Sequence, residues 1–179
     1  MSKIGRRPIV LGSVRVEIKG QEISLNGKQG ASTHLLPSSL KAEAQDGSLL
    51  IIPVQQQTDD VNREWGLHRA LIANKVKGAD TGFEKQVIIV GLGFKAIKAK
   101  DGLEFSLGFS HKVPFALPAG VTVDIDKTGQ QLMVKSTDKE LLGLICSRMC
   151  ELRPVEPYKG TGVYRAGDHI RRKAGKSNV

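Results

Sequence analysis

Apolar and polar residues alternate along this chain in the same order twice. In the first pass Ile23-Ser24-Leu25 precedes Leu36-Pro37. Leu40, Ala42 and Ala44 then take every second position, Gly47 marks a turn, and Leu49–Ile52 follows. In the second pass Phe105-Ser106-Leu107 precedes Leu117-Pro118, Val121, Val123 and Ile125 alternate, Gly129 marks the turn, and Leu132-Met133-Val134 completes the pair. A period of two bounded by Gly and Pro predicts strand, turn and strand. The two passes lie 81 or 82 residues apart, which reads as one plan used twice.

Each pass closes with a pattern of helical period. In the second, Leu141, Leu142, Ile145, Met149 and Leu152 share a face, Thr137 and Glu140 have capping-box spacing, and Pro154 stops the helix. Arg148 and Arg153 sit toward its C-terminal end, where the helix dipole favours cations. The first helix is expected over Asn62–Lys77, ended by Gly78. Trp65, Ile72 and Val76 fall on one side of it, with Leu67 and Leu71 nearly opposite, as in a helix that buries two faces. Strands followed by one helix predict an α+β unit, an antiparallel sheet packed against one main helix. The expected organisation is two tandem, duplicated domains over residues 1–81 and 82–152, with a basic extension over 153–179.

Charge changes the picture from fold to function. Of a formal net charge of +9, the first seven residues hold +3 through Lys3, Arg6 and Arg7. Residues 153–179 hold +5, from Arg153, Lys159, Arg165, Arg171, Arg172, Lys173 and Lys176 against Glu156 and Asp168. A nearly neutral body with basic ends suits a polyanion, because the body folds without self-repulsion while the ends reach phosphates. Aromatic residues are only 4% of the chain, which favours recognition of phosphate and shape over stacking of bases. The run Arg171-Arg172-Lys173 with Lys176 is too basic to pack alone and is expected to order on a polyanion such as RNA. Removing 153–179 is accordingly expected to abolish RNA binding and leave the rest folded.

Apolar runs such as Val87–Val90 are too short to span a bilayer, and the N-terminus lacks the apolar stretch of a secretory signal. Cysteine is limited to Cys146 and Cys150, fitting a reducing, cytoplasmic compartment and offering no pair to complete a zinc site. Ser110-His111-Lys112 is a turn rather than a nucleophile with its base, and His34, His68 and His169 are scattered without ligand spacing. Gly91-x-Gly93-x-x-Ala96 follows a strand but opens no helix, so it reads as a strand–turn–strand link in which Lys95 faces phosphate. The expectation is a protein without catalysis or cofactor, not bound to membranes and not an obligate homo-oligomer.

In Pro157-Tyr158-Lys159-Gly160-Thr161-Gly162 the two glycines permit a loop whose amides approach a phosphate, with Lys159 adding charge and Tyr158 reaching sugar or phosphate. The longer run from Arg153 through Gly162, followed by Arg171-Arg172-Lys173-Ala174-Gly175-Lys176, resembles the bacterial-type family of the sixth large-subunit ribosomal protein (universal uL6 type). Lys3-Ile4-Gly5-Arg6-Arg7-Pro8-Ile9, Trp65–Asn74, Gly91–Ala96 and Gly108–His111 resemble further parts of it in the same order. Val155 and Thr161 depart from the family's usual proline and lysine. The resemblance implies a structural constituent of the large subunit. It also implies binding to 23S-type rRNA near the sarcin–ricin loop and the base of the factor-binding stalk, beside neighbouring ribosomal proteins. RNA contact is then expected from Lys3, Arg6, Arg7, Lys95, His111, Lys112, Arg153, Tyr158, Lys159, Gly160, Gly162, Arg171, Arg172, Lys173 and Lys176.

Overall fold

The computed structural model describes residues 2–176 apart from Asp46, residues 55–57 and Asp101. The chain divides into two units. One runs up to Gly82 and takes in Thr137–Lys139; the other comprises Phe83–Ser136 and the residues from Glu140 onward. In the first unit β1 (Ile9–Val10), β6 (Ser48–Pro53) and β5 (Leu40–Gln45) form an antiparallel sheet in that order. A second sheet has β2 (Arg15–Lys19), β3 (Glu22–Asn26) and β4 (Ala31–Leu35), and helix α1 spans Asp59–Asp80. The second unit repeats the plan: β7 (Phe83–Val90), β12 (Gln131–Ser136) and β11 (Val121–Ile125) form one sheet, and β8 (Lys95–Ala99), β9 (Gly102–Ser106) and β10 (Val113–Ala116) another. Helix α2 spans Lys139–Leu152.

The alternating residues explain both cores. Ile23, Leu25, Leu36, Leu40, Ala42, Leu49 and Ile51 turn inward and meet Trp65, Ile72 and Val76 of α1. Burying the indole of Trp65 requires a partner for its N–H, and Nε1 donates to the Ile51 carbonyl at 2.7 Å. Leu67, on the other side of α1, stays exposed. In the second unit Phe105, Val121, Val123, Leu132 and Val134 meet Leu142, Ile145 and Met149. Phe105 and Phe115 pack edge to face, centroids 5.9 Å apart.

The spacing between the two copies is not uniform. Ala42 pairs with Ile51, nine residues on, whereas its counterpart Val123 pairs with Val134, eleven residues on. The second hairpin therefore carries two extra turn residues, in a segment where the Asp126 carboxylate accepts the Thr128 hydroxyl at 2.8 Å. Helix α1 is longer than its pattern suggests. It begins behind Thr58, whose Oγ1 accepts the Val61 N–H, and runs through Gly78, which is buried inside it. The stop is Gly82 instead, at φ +73, with its N–H on the Gly78 carbonyl. Helix α2 starts at Lys139, so the residue before it is Asp138, one later than the capping-box spacing places the cap.

The largest departure is at the C-terminus. Residues 162–165 form strand β13 (Gly162–Arg165), which pairs antiparallel with β7 from Gly162↔Val90 to Arg165↔Val87 and makes a four-stranded sheet, β11-β12-β7-β13. Val163 is 1% exposed and belongs to the core of the second unit. The division at residue 153 is thus replaced: the chain through Arg165 is part of the second unit's fold, and only the stretch beyond it is an extension.

Candidate nucleic-acid interface

At the N-terminal end, structure and charge are held by different atoms. Gly5 is buried so tightly on the Trp65 ring that a Cβ would stand 2.5 Å from it. Arg69 of α1 donates through Nε to the Arg7 carbonyl at 3.1 Å and through Nη2 to the Pro8 carbonyl at 3.0 Å. The backbone of the basic arm is therefore fixed on α1, while the side chains of Lys3, Arg6 and Arg7 stand exposed around it.

At the C-terminal end the loop after α2 folds on itself. The Glu156 N–H donates to the Thr161 carbonyl and the Gly160 N–H to the Glu156 carbonyl, both at 2.9 Å. The Glu156 carboxylate accepts the Lys159 N–H at 2.9 Å. The expected phosphate nest is corrected on this point: the Lys159 amide is already engaged by the Glu156 carboxylate and the Gly160 amide by the Glu156 carbonyl. Gly160 is buried with the Arg172 guanidinium against it, and the Lys173 N–H donates to the Pro157 carbonyl at 2.9 Å. The first part of the basic extension thus lies along the loop, and the expectation that this run cannot pack alone is corrected for Arg172 and Lys173. Arg153, Tyr158, Lys159, Arg171, Arg172, Lys173 and Lys176 are all exposed.

Gly162 has a structural task. At φ +144 its missing side chain lets the strand pass the preceding loop, where a Cβ would meet Pro154 O and Val155 Cα at 2.8 Å. Those obstacles are backbone and cannot swing aside. Gly162→Ala is expected to cost about 2–4 kcal/mol, from strain plus overpacking, read as a lower thermal midpoint of the full chain.

A second group of predicted residues gathers on the loops of the second unit. Lys95 opens β8 and is exposed beside the Gly91–Phe94 turn, which the Phe94 N–H closes onto the Gly91 carbonyl at 3.2 Å. Lys112 pairs with Glu104 at 3.0 Å, both partly exposed, a contact that leaves the lysine accessible. His111 stacks beside Phe109, and the Arg153 guanidinium lies 5.0 Å from the Phe109 centroid. Arg153 and His111, distant in sequence, therefore share one patch around Phe109, which the sequence marked only as part of the Gly108–His111 segment and not as an RNA contact.

Two other side chains are brought together that sequence spacing left apart. His34 Nε2 and His68 Nδ1 are 2.9 Å from each other, with His34 buried. Burial, then the nearby Lys75 ammonium and His68, lowers the His34 pKa to about 4. The unfolded chain binds this proton from its ordinary pKa of about 6.5 downward and the folded chain does not. Stability should fall as pH drops from about 6.5 to about 4, by up to about 1.4 kcal/mol per pH unit. Denaturant unfolding at pH 7 and pH 5 checks this, and His34→Phe should flatten the difference. Burial raises the pKa of both Cys146 and Cys150, keeping them as thiols within the core of the second unit. Among the described residues no three His, Cys, Asp or Glu side chains gather as metal ligands, and no helix is long and apolar enough to cross a membrane.

Comparison with known proteins decides the family. The model of the family described as ribosomal protein L6 matches residues 90–165, the span from β7's last residue to the end of β13. The chain is 40% identical to large ribosomal subunit protein uL6 of Myxococcus xanthus, with 100% of each chain covered. It belongs to the uL6 family. The uL6 proteins of Methylorubrum extorquens and Methylacidiphilum infernorum are 36% and 40% identical to it, covering 98% and 99% of this chain and 99% and 98% of theirs. The uL6 family match includes the loop patch around Phe109, the turn held by Glu156 and strand β13.

Proposed function

We propose that this chain is a structural constituent of the large ribosomal subunit that binds 23S-type rRNA through its basic ends and the loops of its second unit. The observation carrying this reading is the segregation of charge onto exposed side chains with anchored backbones: Lys3, Arg6 and Arg7 on an arm fixed by Arg69, Lys159 on the loop that Glu156 orders, and Lys173, whose N–H is held by the Pro157 carbonyl beside that loop. Folded rRNA presents its phosphate path, 2′-hydroxyls and shallow groove in fixed positions, so a protein that reads it gains from cations whose placement is set before contact. The names of the relatives place them in the large subunit, and the same assembly is the setting proposed here. Within it, the site is the neighbourhood of the sarcin–ricin loop and the stalk base, with other ribosomal proteins adjacent. The chain serves there without catalysis and is not an obligate homo-oligomer.

Sedimentation tests the reading. The chain should travel with large subunits in low salt and resist a wash that removes loosely held proteins. Recovery only in the free fraction would contradict it.

A further inference from the structure

Four of the five phenylalanines, Phe83, Phe94, Phe105 and Phe115, serve the core of the second unit; Phe109 does not. It stands 41% exposed on the loop between β9 and β10. The loop is supported from within: Gly108, at φ +76, sits so close to Phe94 that a Cβ would be 2.8 Å from that ring. The turn this permits carries Phe109 to the surface. His111 lies nearly parallel to it, with centroids 6.0 Å apart and planes 22° apart. Arg153, from just beyond α2, brings its guanidinium 5.0 Å from the Phe109 centroid, and both flanking side chains are exposed.

An exposed ring beside a second flat ring and a guanidinium plane matches the chemistry by which proteins hold an unpaired nucleobase, through π-stacking and cation–π attraction. We propose that Phe109, with His111 and Arg153, stacks an unpaired base of the large-subunit rRNA. The proposal rests on the reading that the chain binds that RNA, and it adds an interaction that phosphate neutralisation does not supply. The low aromatic content had pointed away from stacking; one well-placed ring suffices for one base.

Stacking and charge contacts separate by their salt dependence. With a full-length large-subunit rRNA transcript as probe, Phe109→Leu keeps an apolar side chain and removes the ring. It should weaken binding roughly tenfold and leave the log–log slope of affinity against salt unchanged. Phe109→Trp should bind as the wild type does. Thermal unfolding of both variants should match the wild type, since the ring is outside the core. Unchanged affinity in Phe109→Leu, or equally weakened binding in the Leu and Trp variants, would overturn the platform while the RNA-binding reading stands. A wild-type chain that fails to bind the transcript would overturn both.

Discussion

A chain ending at Leu152 will lose most of the stability of its second unit, whereas a chain ending at Asp168 will keep it. The first truncation removes β13, leaves the β7 edge unpaired from Val87 to Val90, and takes Val163 out of the core. Burial of one valine and loss of a strand's ladder together account for roughly 3–5 kcal/mol, a large part of the stability of a small domain. The second truncation retains the strand, and the hydrogen bond from the Ala166 N–H to the Gln86 carbonyl with it. Denaturant unfolding distinguishes the two, and amide exchange along β7 should rise only in the shorter chain. Equal stability in both would mean that β13 is an ornament on a sheet that closes without it.

The pairing of β13 with β7 argues against the expectation that removing residues 153–179 leaves 1–152 folded, and the reason the sequence did not show it is physical. Strand β13 has four residues, Gly162 to Arg165, and one fully buried apolar side chain. Such a segment has no period to detect. Its partner β7 lies more than seventy residues earlier, and nothing local encodes a pairing over that distance. The duplicated hairpins were legible because each of their strands alternates inward and outward against a neighbour one turn away. The same contrast explains the glycines. Gly78 and Gly82 both follow helical sequence, but Gly78 is buried within α1, whereas Gly82, at φ +73, is where the chain turns.

Replacing Arg171, Arg172, Lys173 and Lys176 by glutamine in the full chain should leave the stability within about 1 kcal/mol of wild type. All four side chains are exposed and none belongs to either core. Affinity for the rRNA transcript at about 0.1 M salt should nonetheless fall by about a hundredfold or more. The slope of log affinity against log salt should shrink by roughly 0.7–0.9 for each phosphate no longer neutralised. A fall in affinity with no change in slope would assign these residues to packing on the loop, in the way that Arg172 lies on Gly160, and not to phosphate.

The charged ends were readable from the sequence because charge is counted residue by residue. What they are attached to was not. That Arg69 grips the carbonyls of Arg7 and Pro8, that Glu156 engages the Lys159 and Gly160 amides of the turn expected to cradle an anion, and that Arg153 joins His111 around Phe109 are all tertiary facts. They alter the mechanism. Glu156 entered the charge count as a reduction of the tail's positive field, and in the fold it orders the loop that carries Lys159. His34 and His68 are likewise joined only by the packing of β4 against α1, which no spacing reveals.

Photocrosslinking of the chain in assembled large subunits, followed by identification of the peptides that carry nucleotide adducts, tests the central claim most directly. Adducts should fall on the arm through Arg7, on the patch of Phe109, His111 and Arg153, and on the stretch from Tyr158 to Lys176. Adducts confined to other surfaces of the two units, with both basic ends unmodified, would contradict the account.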